Sequence, residues 1–118
     1  MSPVAYKLVD GAAWERARVA GVYEGSEVDH ADGYIHMSTA EQLAETARRH
    51  YAGRTGLVLA TVDVHALGVA LRWEPSRGGD LFPHLYGPLP LSAVAAERGL
   101  SVRQDGVMVF EDGAVGWP

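Results

Sequence analysis

The chain has 118 residues, 47% of them hydrophobic and 21% charged, the composition of one ordinary globular domain. Its formal net charge of −5 comes with ten scattered basic residues, of which only Arg48 and Arg49 are adjacent, and this speaks against binding duplex nucleic acid. The absence of cysteine excludes disulfides, thiol catalysis and zinc–thiolate sites. No apolar run approaches the roughly 20 residues of a membrane span. Met1-Ser2-Pro3-Val4 lacks the charged-then-apolar order of a secretion signal. The expectation is a single cytoplasmic domain over residues 1–118, monomeric or weakly dimeric, with no membrane partner.

Tyr6 to Val9 reads as a first strand. Asp10 caps a helix expected over 12–20, with Trp14 and Ala17 on its inward stripe and Gly21 ending it. Gly21 to Gly33 reads as a polar connection. In Asp32-Gly33-Tyr34-Ile35-His36-Met37-Ser38-Thr39, the two-residue period of a strand puts Tyr34, His36 and Ser38 on one face. Ile35 and Met37 form the apolar face. Ser38 followed by Glu41 reads as a capping box that starts a second helix, over 40–51. Leu43, Ala47 and Tyr51 recur along that helix at four-residue steps, and Arg48, Arg49 and His50 fall in its last turn, where the helix dipole favours cations.

Leu57 to Asp63 is nearly all apolar, which predicts a central strand covered on both faces. Val64 to Leu67 reads as a single helical turn ended by Gly68. Val69 to Glu74 alternates Leu71 and Trp73 against Arg72 and Glu74 and stops at Pro75. Trp73 is expected in the core. Ser76 to Asp80 is a flexible loop able to act as a flap. Leu81 to Pro90 reads as extended, with Phe82, His84 and Tyr86 on one face, and Pro83 predicts an edge strand or an irregular run. Leu91 to Leu100 reads as a strand in preference to a short helix capped by Ser92. Asp105-Gly106 predicts a hairpin over about 101–110. The remainder is a tail in which Trp117 is free to dock. With about six strands in a split antiparallel arrangement and two main helices, the fold class is α+β.

The chemistry concentrates in two stretches of one pattern. His36 and His84 each sit mid-strand with an aromatic two residues away on the same face. If the two strands line one cleft, Tyr34, Phe82 and Tyr86 wall it and two imidazoles furnish it. Such a site suits a flat, polar, partly apolar ligand such as a nicotinamide or purine ring. No metal is expected, since there is no His-x-x-x-His and a third ligand would have to come from elsewhere in the chain. Serine hydrolysis lacks the Gly-x-Ser-x-Gly elbow. Gly78-Gly79 alone is a weak phosphate-loop signal.

Tyr6-Lys7, Trp14, Gly21-Val22-Tyr23, Asp32 to Thr39, Gln42, Leu71-Arg72-Trp73-Glu74 and Phe82-Pro83-His84-Leu85-Tyr86-Gly87, in this order, resemble a bacterial family called domain of unknown function 952. The resemblance covers about residues 5–95. That family is in turn similar in fold to the ADP-ribosyltransferase superfamily, which includes the tRNA 2′-phosphotransferases. The resemblance implies a cleft for NAD or a related nucleotide, with His36 and Ser38 beside the ribose and Tyr86 or Tyr34 stacking on nicotinamide. Under it, Tyr34, His36, Ser38, Thr39, Phe82, His84 and Tyr86 form the ligand-binding set. His36, His84 and Glu74 are the catalytic candidates; the catalytic Glu of many such transferases has no clear match in this sequence, Glu74 being a candidate only, and this counts against ADP-ribosyl transfer to protein. The alternative is a non-enzymatic binding or interaction domain whose histidines are structural.

Overall fold

The computed structural model describes residues 3–118; Met1 and Ser2, part of the stretch read for a secretion signal, lie outside the described residues. In chain order the elements are β1 (Val4–Asp10), α1 (Gly11–Ala20), β2 (Val22–Tyr23), α2 (Glu27–Asp32), β3 (Ile35–His36) and α3 (Ala40–His50). There follow β4 (Leu57–Asp63), β5 (Leu71–Pro75), β6 (Leu81–Leu85), β7 (Leu89–Pro90), β8 (Val94–Val102) and β9 (Met108–Phe110). All paired strands are antiparallel. They form a four-stranded sheet in the order β1-β4-β8-β9, a three-stranded sheet in the order β3-β6-β5, and the pair β2-β7. The α+β class holds, but the nine strands among the described residues exceed the expected six. Three of them, β2, β3 and β7, have only two residues; β3 and β7 lie inside longer stretches read as extended, and β2 falls in the stretch read as a connection.

β4 is the centre of the large sheet, paired with β1 over seven residues and with β8 on its other edge. Both of its faces are covered, as its apolar run predicts. Leu57 and Leu59 join Leu8, Leu43, Leu100 and Phe110 in one apolar cluster. Ala60 and Val62 join Val9, Trp14, Ile35 and Leu85 in the other. No helix among the described residues is long and apolar enough to cross a membrane.

Several local expectations meet the structure closely. Asp10 accepts a hydrogen bond from the Ala13 N–H at the start of α1, and Gly21 ends that helix at φ 81°, a left-handed conformation open to glycine. The Asp105-Gly106 turn joins β8 to β9, with Val102 opposite Met108. Trp117 docks edge-on against Tyr6 and donates its indole N–H to the Ala40 carbonyl.

Four expectations need correction. The cap of α3 is Thr39, paired reciprocally with Gln42, rather than Ser38 with Glu41. Ser38 cannot cap because its own N–H and C=O are both bonded to Tyr6, at 2.9 and 2.8 Å, so it is still extended chain. The supposed loop from Gly21 to Gly33 holds β2 and α2. Its signal is Ser26-x-x-Asp29, a capping box closed by Asp in place of Glu, on a helix of six residues with no room for an apolar stripe. Trp73 is not core: it shares the face of Leu71, which packs on the core, but stands further along edge strand β5 and is 44% exposed. Finally β6, despite Pro83, is the central strand of its sheet. The missing N–H falls on the β3 side, opposite Met37: Met37 donates to the Pro83 carbonyl, the reciprocal bond cannot form, and β3 ends there, while the pairing with β5 is unaffected.

Candidate functional site

The register of the small sheet sets His36 directly opposite His84. The two strands singled out by the aromatic–imidazole pattern therefore do lie side by side. The imidazole centroids are 5.8 Å apart, and Tyr34 stacks on His84 at 4.0 Å and leans on His36 at 4.6 Å. Two neighbouring strands and one residue of lead-in thus converge three rings.

Each imidazole is oriented by carboxylates. His36 Nδ1 lies 2.6 Å from Asp29 Oδ1 and its Nε2 2.8 Å from Asp32 Oδ2. A neutral imidazole carries one N–H and can donate to only one of these carboxylates; donating to both requires the cation. Asp29 is 2% exposed and also accepts from the Ser26 and His36 backbone N–H groups. Lys7, 5% exposed, places its Nζ 3.1 and 3.2 Å from the two Asp29 oxygens. Burial alone would raise the Asp29 carboxyl. The His36 hydrogen bond, the Lys7 charge and the two backbone N–H groups outweigh burial and hold it below the usual carboxylate range. For Lys7 the balance goes the other way: burial pulls the ammonium down, and Asp29 only partly restores it. The second imidazole, His84, is held by Glu74 Oε1 at 2.9 Å from Nδ1, and the same oxygen accepts from the Tyr86 hydroxyl at 2.7 Å. These two donors keep the Glu74 carboxyl low, and Glu74 in turn raises the Tyr86 phenol. His84 Nε2 makes no hydrogen bond among the described residues, and no buried side-chain nitrogen or oxygen is left without a partner. Nε2 therefore reaches open space.

That space is a cleft of about 450 Å³ whose walls include Lys7, Asp29, His36, Ser38, Phe82 and His84. Ser38 Oγ is bonded to Thr46 Oγ1 at 2.9 Å on its wall. The rest of the expected binding set is distributed differently. Tyr34 borders a second cavity of about 500 Å³ on the far side of β3, along with Gly87 and Pro88. Tyr86 lies outside both, with the Arg72 guanidinium 4.6 Å over its ring. Thr39 spends its hydroxyl on the α3 cap. Glu74 reaches His84 but does not line the cleft, so its place is behind the imidazole.

Lys7 and Asp29 are the two residues that sequence reasoning did not single out. A signal for Lys7 existed: it shares the strand face of Ala5 and Val9, both buried. Asp29 was visible only as the fourth residue of the short cap. No group of three or more His, Asp or Glu among the described residues is arranged to hold a metal ion.

A family model described as a protein of unknown function, DUF952, matches residues 8–97. The chain belongs to that family. The crystal structure of protein CC0527 from Caulobacter crescentus is 48% identical in sequence, with a TM-score of 0.85 over 89% of this chain and 92% of that one. The solution NMR structure of CC0527 gives a TM-score of 0.77, covering 87% of this chain and 89% of the other. No curated protein matches the chain.

Proposed function

We propose that the cleft between β3, β6 and β1 binds NAD or a related nucleotide, and that His36 and His84 do acid–base work at the ligand's ribose. One observation carries this reading. The four buried polar or charged side chains among the described residues, Lys7, Asp29, Ser38 and His84, all line this one cleft. Burying polar groups costs stability even when they are bonded. A domain of this size has no structural need to gather them in one place, and such concentration is expected where a ligand is handled. The volume lies within the usual range for small-molecule sites.

In this reading Asp29, fixed by Lys7, orients the His36 ring, and the ligand's ribose hydroxyls reach its Nε2 by displacing the half-exposed Asp32 from it. Ser38 contributes a hydroxyl on the same wall. His84 Nε2 serves as acid or as phosphate contact, while Glu74 holds the ring from behind. Cleavage at a ribose–nicotinamide centre breaks the C–N bond, and the electron pair leaves with neutral nicotinamide. An acceptor oxygen, of water or of a hydroxyl, bonds to the ribose carbon and gives its proton to an imidazole. The same pair of imidazoles suits transfer at a ribose–phosphate centre. The likeness in fold between this family and the ADP-ribosyltransferases, whose strand-borne His followed two residues on by Ser or Thr is matched by His36 and Ser38, supports the ribose role of these two residues.

A second reading has an observation of its own. Tyr34 already stacks on His84, and both imidazoles already hold carboxylates, so the cluster is also what a structural tie between strands requires. Calorimetry with NAD, ADP-ribose and nicotinamide separates the two. The nucleotide reading expects heat of binding that is lost in His36→Ala, with nicotinamide released from NAD if the site is catalytic. No binding of any of the three at millimolar concentration overturns it in favour of the structural reading.

A further inference from the structure

Arginines in this acidic chain are mostly paired. Arg18, Arg48, Arg49, Arg98 and Arg103 each hold a carboxylate. Arg16, Arg54, Arg72 and Arg77 hold none among the described residues, and of these four only Arg54 and Arg77 line the cleft. Instead the Arg54 guanidinium lies 5.1 Å over the Tyr51 ring and that of Arg77 lies 4.9 Å over Phe82. Both arginines and both rings line the cleft that His36 and His84 face. Stacking holds a guanidinium flat and leaves its N–H edge open, which is the geometry that forks onto phosphate oxygens.

The charge balance of the cleft points the same way. Its lining has three fixed cations, Lys7, Arg54 and Arg77, against two carboxylates, Asp29 and Asp32, in a chain whose net charge is −5. Both carboxylates are committed to Lys7 and His36. His50 lines the cleft too; burial first, and then the charges of Arg77, Arg49 and His36, disfavour its protonated form.

We infer that Arg54 and Arg77, with His50 beside them, form a phosphate subsite on the solvent-facing side of the cleft, and that the ligand is a phosphate ester whose charged end lies there. This rests on the nucleotide reading of the same cleft and adds to it which end of the ligand goes where. The aromatic rings under the two guanidinium groups act as platforms for the arginines, so Phe82 serves the phosphate end through Arg77 and does not stack on a base.

The test is calorimetric titration of the parent with adenosine, adenosine 5′-monophosphate and pyrophosphate, repeated on Arg54→Gln and Arg77→Gln. The monophosphate should bind about tenfold or more tightly than adenosine, the scale of one or two charge-assisted hydrogen bonds. Each Gln variant should lose about that factor for the monophosphate and pyrophosphate while binding adenosine as the parent does. Arg54→Lys and Arg77→Lys, which keep charge but lose the fork, should fall between, and thermal melting of every variant shows that it is folded. Equal affinity for adenosine and its monophosphate, or Gln variants that bind the monophosphate as the parent does, overturns the subsite and leaves the nucleotide reading standing. Arginine-dependent binding of pyrophosphate with none of adenosine supports the subsite and overturns the nucleoside part of the reading. No binding by any probe overturns both.

Discussion

The four-stranded sheet and the three-stranded sheet are held together by different forces. β1 and β4 pair over seven residues, and the cluster of Leu8, Leu43, Leu57, Leu59, Leu100 and Phe110 against one face of their sheet is apolar throughout. β3, by contrast, pairs with β6 over two residues only. What its ladder lacks, a side chain supplies: Asp29 accepts both the His36 backbone N–H and the His36 ring, and is itself tied to β1 through Lys7. The long ladders carry stability at low cost in specificity. The short one carries groups whose burial is expensive and whose geometry is fixed by hydrogen bonds. The lesson is that the chemistry sits where the regular structure is thinnest.

The largest effect should come from the apolar side. Leu59→Ala removes a fully buried side chain between two ladders and should cost about 4 kcal/mol in urea unfolding. Lys7→Met strikes the polar side by leaving Asp29 without its cation, and should cost about 3 kcal/mol by the same measurement. A loss under about 1 kcal/mol there would mean that the polar network does not hold β3 to β1, and the contrast between the sheets would lose its basis.

Acid should separate the two regions as well. The Asp29 carboxyl is lower in the folded state than its ordinary value of 3.8. Its contribution is therefore fully present above that value and is lost as pH falls through it toward the folded-state value. The parent should lose stability progressively as pH falls below about 4, and Asp29→Asn should lose less over the same range. Asp105 is also lowered, to about 2, by Arg103, but that pair is solvent-exposed, so Asp105→Asn should leave the acid profile of the parent nearly unchanged. The smallest effect belongs to Trp73→Ala. Its indole is 44% exposed, so unfolding should shift by under about 1 kcal/mol.

How much of this could be read from the sequence follows the same division. The large sheet was legible, because Leu57 to Asp63 announces a strand buried on both faces and Asp105-Gly106 announces the hairpin that closes β8 on β9. α1 and α3 were legible from their caps and stripes, with Ser38 and Thr39 confused because either offers a hydroxyl three residues before an acid or amide. β2 was not, since two residues have no period, whereas β3 and β7 fell inside longer stretches read as extended. His36 and His84 were found by pattern, and their proximity was not, because register is a long-range outcome of pairing. Lys7 and Asp29 were missed because nothing within a few residues of either tells that the other is 22 residues away in sequence and in contact in space. Trp73 was misplaced because alternation gives the face it shares with Leu71 without saying how far along an edge strand the core extends.

The central claim is that the buried polar residues lining the cleft exist to meet a ligand. It is tested most directly by following the His36 and His84 imidazole resonances, together with the backbone amides, while NAD or ADP-ribose is added. The account predicts that both imidazoles and the amides of residues 36–38 and 82–84 shift together and saturably, while the amides of 57–60 and 100–102 stay in place. Shifts confined to other surfaces, or imidazoles that do not respond at millimolar ligand, would contradict it and leave the two histidines as ties between short strands.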